Sequence, residues 1–277
     1  MPQSQPANSS QIDGLSSQFQ RRWEPVYHWR SLCSMLQGLP GLRGAWSMSS
    51  IAHAQPEVRD LSANGNHLQA AAALANVTFG HDPTRVVPIA YFGGGANQYL
   101  FRADGGVGNW ADILGTEAYI VAAQRGLTMG GWFWCDVIDA NAEYLMAKHQ
   151  VGGMASYAIL RVPGAATIRF GINGMGAGDF VTSTATITAA GWYFLAGKFT
   201  PATTVRVYVN GVMASAATVT AAIVDTGVNF TIGADAVGAA ATLLQGRASA
   251  CFLCATAMRD AQIHALYHYT KAAYGVK

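Results

Sequence analysis

Apolar residues recur along this chain with two different periods, and the switch between them divides it. In "WEPVYHWRSLCSMLQGLPG", Val26, Trp29, Leu32, Cys33 and Leu36 fall at three- and four-residue steps, which sets them on one helical face. Pro25 suits a first helical turn, and Gly38 with Pro40 stops the helix, so the pattern predicts one amphipathic helix over Glu24–Gln37. From Gly41 the period shortens to two. "LRGAWSM" and "HLQA" read as short strands around the loop "DLSANGNHL", whose Asn64-Gly65 is a strong turn signal. "VPIAYFGG" and "QYLFRA" follow as a pair of strands, and residues 105–125 form a less regular insert with Trp110 and Tyr119. From Leu127 on, "LTMGGWFWCDV", "EYLMAKH", "SYAILRV", "TIRFGI", "TATIT", "WYFLAGKF" and "TVRVYVNG" arrive with Gly, Asn, Asp or Pro between them. Short strands at a spacing of roughly ten residues predict a β-sandwich rather than βαβ units.

Register within these strands is legible. Val205, Val207 and Val209 share one face, with Arg206 and Tyr208 on the other. Trp192 and Phe194 alternate with Tyr193 and Leu195, so that strand is apolar on both faces and belongs in the middle of a sheet. Asn210-Gly211 supplies positive φ for a hairpin turn. "NFTIGA" and "GRASACFLCATAM" complete the strands, and "MRDAQIHALYHY" predicts a closing helix with Thr256 as N-cap and Ile263, Leu266 and Tyr267 inward.

Composition narrows the class. The chain has 277 residues, 51% hydrophobic and only 12% charged, with 31 Gly, enough for one large all-β domain. Low charge hints that other chains cover part of the surface. A net charge of +2 gives no footprint for nucleic acid. The polar start "MPQSQPANSSQIDG" is not a secretory signal, and no apolar run is long enough for a membrane helix. A protein made in the cytoplasm is expected, and the sequons at Asn8, Asn76 and Asn229 carry little weight. Cys33, Cys135, Cys251 and Cys254 read as reduced thiols. "CFLC" lies in a strand, where Cys251 and Cys254 point to opposite faces and cannot share a metal.

The ordered set "LTMGGWFW", "GWYFLAGKF", "VRVYVNG", "FTIGA", "GRASACFL" and "AMRDAQIHALYHY" resembles the laminin G-like jelly rolls of the concanavalin A-like lectin and glucanase superfamily. The resemblance spans about Gly41 to Tyr269 and implies an antiparallel jelly-roll sandwich with an N-terminal helical segment and a short C-terminal helix. The division it implies is a polar arm over 1–14, a helical anchor over 15–40 and the jelly roll over 41–277. A narrower resemblance joins the front helix and "LPGLRGAWSMSS" to jelly-roll proteins encoded by tailed phages. It implies a virion component, either a head decoration or a fibre or tail accessory. Its partners would be other virion proteins such as a major capsid protein. Trp23, Tyr27 and Trp29 would serve anchoring or assembly of a homo-oligomer, although docking on the protein's own core is the plainer use of that stripe.

A retaining glycosidase needs carboxylates about 5 Å apart, and Glu24, Glu57, Glu117 and Glu143 sit in no alternating acidic run. No enzyme is expected. Asp60, Asn64 and Asn66 form the one oxygen-rich loop suited to Ca²⁺, although such residues are also ordinary turn formers. His264 and His268 stand four apart on the closing helix, but no Glu completes H-E-x-x-H. "YFGGGAN" lacks the helix and Lys of a phosphate cradle. A lectin site would stack sugar rings on exposed aromatics beside Asn or Asp. Tyr99, Asn109, Trp110 and Tyr119 are the candidates, while Trp132, Trp134 and Trp192 read as core. The expectation is a non-enzymatic virion protein on a lectin-like jelly roll, adhering weakly to cell-surface glycans. A soluble lectin is the first alternative and a glycoside hydrolase the second.

Overall fold

A computed structural model describes residues 33–51, 57–71, 77–85, 87–104, 126–136, 141–152, 155–176, 178–201, 203–220, 222–224 and 226–277. Where apolar and small or polar residues alternate, the backbone is extended. The first strands are β1 (Leu42–Ile51), β2 (Glu57–Asp60), β3 (Leu68–Ala70), β4 (Thr78–His81), β5 (Pro88–Gly93) and β6 (Leu100–Arg102). Next come β7 (Leu127–Cys135), β8 (Glu143–His149), β9 (Ala155–Arg161), β10 (Thr167–Ile172) and β11 (Phe180–Thr186). The last are β12 (Gly191–Thr200), β13 (Thr204–Val209), β14 (Val212–Thr218), β15 (Phe230–Ile232) and β16 (Gln245–Cys254). Helix α1 (Asp260–Thr270) and a 3₁₀ turn (Lys271–Tyr274) follow.

All pairings are antiparallel. One sheet runs β14-β13-β12-β7-β16, and the far edge of β16 is shared by β5 and β1. The other runs β11-β10-β9-β8-β15-β6-β3-β2 and folds back over the first as a jelly-roll sandwich. β1 belongs to both: Leu42–Trp46 pair with β16, and Trp46–Ile51 with β2. Two bulges make this possible, at Met48 (φ 59°) in β1 and Ala250 (φ 49°) in β16.

Between the sheets, Phe133, Leu195, Val205 and Val207 meet Ile159, Phe170, Phe230 and Ile232. Trp46 stacks on Phe230 at 5.3 Å between ring centroids. A Cβ on Gly197 of β12 would lie 2.1 Å from the Phe170 ring, so only glycine lets the sheets approach there. A second apolar layer covers the outer face of the first sheet. Leu36, Trp132, Phe194 and Phe252 pack there against Ile263, Leu266, Tyr267 and Tyr274. Trp132 stacks on Tyr274 at 4.1 Å and donates its Nε1–H to Thr270 Oγ1 at 2.9 Å.

Most strands lie where the period of two placed them, and β12 is flanked by β7 and β13 as its two apolar faces require. The expected pairing of "VPIAYFGG" with "QYLFRA" is not made. β5 pairs with β4 and β16, and β6 with β3 and β15, because the chain crosses from one sheet to the other between β5 and β6. β2 and β4 carry too few apolar residues to announce themselves. Helix α1 starts at Asp260 rather than from a Thr256 cap; the Arg259 N–H donates to Gln262 Oε1 at 2.9 Å, while the Thr256 carbonyl accepts from Thr128. Cys251 and Cys254 point into the two different cores. Burial pushes the Cys135 thiol up to about 12 and raises the other two as well.

Of the front helix, residues 33–37 are described and are helical. The Gly38 N–H donates to the carbonyls of Ser34 and Met35, ending the helix where Gly and Pro predicted. Leu36 is buried in the outer core, so the end of the 15–40 segment packs on the jelly roll itself. Trp23, Tyr27 and Trp29 lie outside the described residues.

Candidate functional site

Past the margin of α1 and Tyr274, the outer face of the first sheet carries a row of side chains in register across four strands. Tyr91 on β5 pairs with Arg247 on β16, Arg247 with Trp134 on β7, and Trp134 with Trp192 on β12. Cross-strand partners have Cβ atoms about 5 Å apart, so large side chains in one row stand side by side. The Arg247 guanidinium sits 4.9 Å from the Trp134 ring centroid, and Trp134 meets Trp192 edge to face at 5.9 Å. Trp192 in turn packs on Tyr274 at 5.1 Å. Exposure grows along the row: Trp192 is buried, Trp134 half-buried, Arg247 24% exposed in its side chain and Tyr91 43%.

Two carboxylates fix these groups. Asp82, in the turn between β4 and β5, is buried and accepts from Trp192 Nε1 and Arg247 Nη1, each at 3.1 Å. It also accepts from the N–H and hydroxyl of Thr84 at 2.9 and 2.7 Å, which builds the turn. Burial raises the Asp82 pKa, but these hydrogen bonds and the Arg247 charge outweigh it, holding the carboxyl below the usual range. Asp136 Oδ1 accepts the Trp134 indole N–H at 2.5 Å. The result is a partly exposed aromatic and guanidinium surface whose polar edges are anchored. It can stack against a flat apolar face and donate to hydroxyls.

The residues singled out from sequence are placed differently. Asp60 is buried and accepts from the Ala45 N–H, Ser62 N–H, Ser62 hydroxyl and Asn66 N–H at 2.5 to 2.9 Å. Asn64 donates to the carbonyls of Leu42 and Arg43, and Asn66 to that of Arg43. This trio staples its loop to β1; the carboxylate that was the calcium candidate is already occupied by four protein donors. Among the described residues, no three His, Cys, Asp or Glu side chains gather to hold a metal. Tyr99 is half-buried and packs on Gly238, where a Cβ would lie 2.3 Å from its ring; burial and the Asp235 charge raise its phenol. Asn109, Trp110 and Tyr119 lie outside the described residues.

Three further acids are engaged by cations. Glu143 and Arg161 form an ion pair, 1% and 2% exposed, and Asp104 is paired to Lys148 at 2.5 Å with neither side chain exposed. Asp260 binds Lys198, Arg206 at 2.8 Å and Tyr208 at 2.7 Å. Its burial is outweighed by those partners, and its pKa falls.

Sequence reasoning missed the row because Trp132 and Trp134 share one face of β7 and both look like core. What separates them is where the helical cover ends. Arg247, a lone charge within "GRASACFLC", was the available signal.

A sandwich of this topology with an aromatic and cationic row on its outer face is a lectin-type domain. A family profile described as the concanavalin A-like lectin/glucanases superfamily, of laminin G-like type, matches residues 114–263, and the chain belongs to that superfamily. No curated protein sequence matches the chain. Among solved structures, it is similar to Trypanosoma rangeli sialidase in complex with sialic acid, at 15% identity and TM-score 0.60, covering 93% of this chain and 40% of that one. The binding domain of botulinum neurotoxin DC in complex with SialylT gives 9% identity and TM-score 0.53, covering 83% and 52%. The binding domain of Paraclostridial Mosquitocidal Protein 1 gives 10% and 0.57, covering 82% and 52%. The chain thus spans 40 to 52% of the length of these proteins. At such identities the likeness is one of fold.

Proposed function

We propose that this chain is a non-catalytic carbohydrate-binding module that holds a glycan across Tyr91, Arg247 and Trp134. The observation that carries the reading is the in-register row itself, with its indole and guanidinium N–H groups tied down by Asp82 and Asp136. Pyranose rings present apolar C–H faces to aromatics and hydroxyls to charged groups, and a pre-anchored surface loses little side-chain freedom on binding. The trypanosomal sialidase, in complex with sialic acid, and the botulinum binding domain, in complex with SialylT, share this fold over 40% and 52% of their chains. Hydrolysis is not part of the proposal. A general acid needs a raised pKa, whereas Asp82 is shifted down and Glu143 is shut inside with Arg161. No calcium is required, since Asp60 is occupied by its own loop. The narrower expectation of a virion role rests on the front segment, and the glycan reading does not depend on it.

Glycan-array screening of the wild type, followed by titration of the best ligand, tests this. Tyr91→Ala and Trp134→Ala are expected to weaken binding by roughly three- to tenfold each, the worth of one aromatic contact, and EDTA to leave it unchanged. A wild type that binds no saccharide, or one whose binding survives both substitutions, ends the proposal.

A further inference from the structure

His264 and His268 occupy one exposed edge of α1, a turn apart, with ring centroids 4.2 Å from each other. The helix beneath them is held firmly. Ile263, Leu266 and Tyr267 are buried against the first sheet. Thr270 donates to the carbonyls of Leu266 and Tyr267 and accepts from the Trp132 indole. The His268 ring stands edge-on against Tyr267 at 5.1 Å, which limits its rotation. Along the exposed stripe the pair is flanked by Asp260, one turn before His264, and by Ala261 and Ala272. The nearest acid on the helix, Asp260, is engaged by Lys198, Arg206 and Tyr208. The nearest cation is Lys271, whose Nζ lies 5.9 Å over the Tyr267 ring. The His268 imidazole titrates below its ordinary range, through desolvation and then the neighbouring His264 and Lys271 charges.

We propose that His264 and His268 form a two-imidazole chelate for a borderline divalent transition metal such as Zn²⁺, Ni²⁺ or Cu²⁺. Imidazole nitrogens suit these ions, and two on successive turns of a rigid helix reach one ion without reordering the backbone. Ca²⁺ and Mg²⁺, which want oxygen, are excluded by the donor set. Two protein ligands leave coordination positions for water or an outside donor. The site is distinct from the Tyr91–Arg247–Trp134 row and does not depend on it.

Titration calorimetry with Zn²⁺ and electron paramagnetic resonance with Cu²⁺ test the chelate, on wild type, His264→Ala and His268→Ala. Saturable binding is expected in the wild type, with a two-nitrogen Cu²⁺ pattern that drops to one nitrogen in either variant. Losing an outer-sphere partner alone costs tenfold or more, so each variant should lose at least about tenfold in Zn²⁺ affinity. Affinity should fall as pH drops and the imidazoles protonate. Both positions are exposed, so the variants fold, and unchanged melting confirms it. No saturable binding in the wild type, or full affinity in either variant, overturns the proposal.

Discussion

At the scale of single residues, the decisive groups are side chains that hold other side chains in place. Asp60 is a loop staple with four donors converging on it from β1 and its own turn. Replacing it with alanine strands buried N–H groups, so Asp60→Ala should cost about 3 kcal/mol in urea denaturation. Asp82 does the same for the aromatic row, and its chemistry is visible in pH. Its folded pKa lies below the unfolded value of about 3.9, so its contribution is complete above that value and fades as pH falls through the folded pKa. Asp260, with the same sign, behaves alike. Melting temperature should therefore fall on acidification from about pH 4 downward, and less steeply in Asp82→Asn, which starts out less stable at neutral pH. An identical slope in variant and wild type would contradict this assignment.

At the scale of elements, close approach governs what each strand tolerates. β12 faces β10 through Gly197, whose missing side chain makes room for Phe170. Gly197→Ala should destabilise by about 1–3 kcal/mol, as overpacking does, with the loss seen in chemical denaturation. The β13–β14 hairpin turns through Asn210 (φ 50°) and Gly211 (φ 74°), and a Cβ on Gly211 would collide with Tyr267 of α1 at 2.7 Å. That dipeptide thus sets both the turn and the seat of the closing helix. Leu36, contributed by the front helix, is 1% exposed within the outer core. Leu36→Ala should cost about 2–4 kcal/mol, measurable in the same way.

At the scale of the whole molecule, one interior ion pair joins distant parts of the chain. Lys148 on β8 holds Asp104 and the carbonyls of Thr226 and Val228. Lys148→Ala would leave Asp104 buried and uncompensated, at a cost of about 3–5 kcal/mol, and Lys148→Met with Asp104→Leu should recover most of it. None of this was legible in the sequence, where Lys148 and Asp104 look like ordinary charges in "EYLMAKH" and "FRADGG". β13 was legible because its valines alternate toward one core, and β7, β9 and β12 because apolar residues fill both of their faces. The row of Tyr91, Arg247 and Trp134 was not, since it is assembled from strands 43 to 156 positions apart by cross-strand register alone. Period reveals the face a side chain takes. It does not reveal which strand lies next door, or where a covering helix stops.

The position of β16 has a consequence for how the protein is made. This strand, Gln245–Cys254, lies between β7 on one side and β1 with β5 on the other. A ribosome delivers it after every other strand of the sheet it completes. Until it emerges, the nascent chain holds β1 and β5 apart from β7, and β7 is paired on its β12 side alone. Folding of the first sheet therefore awaits the emergence of β16, and holdase chaperones would meet this chain through its apolar β7 and β12 segments. A ribosome stalled before residue 245 should display a protease-sensitive chain, and one stalled on a linker fused after Lys277, long enough to clear the exit tunnel, a resistant one.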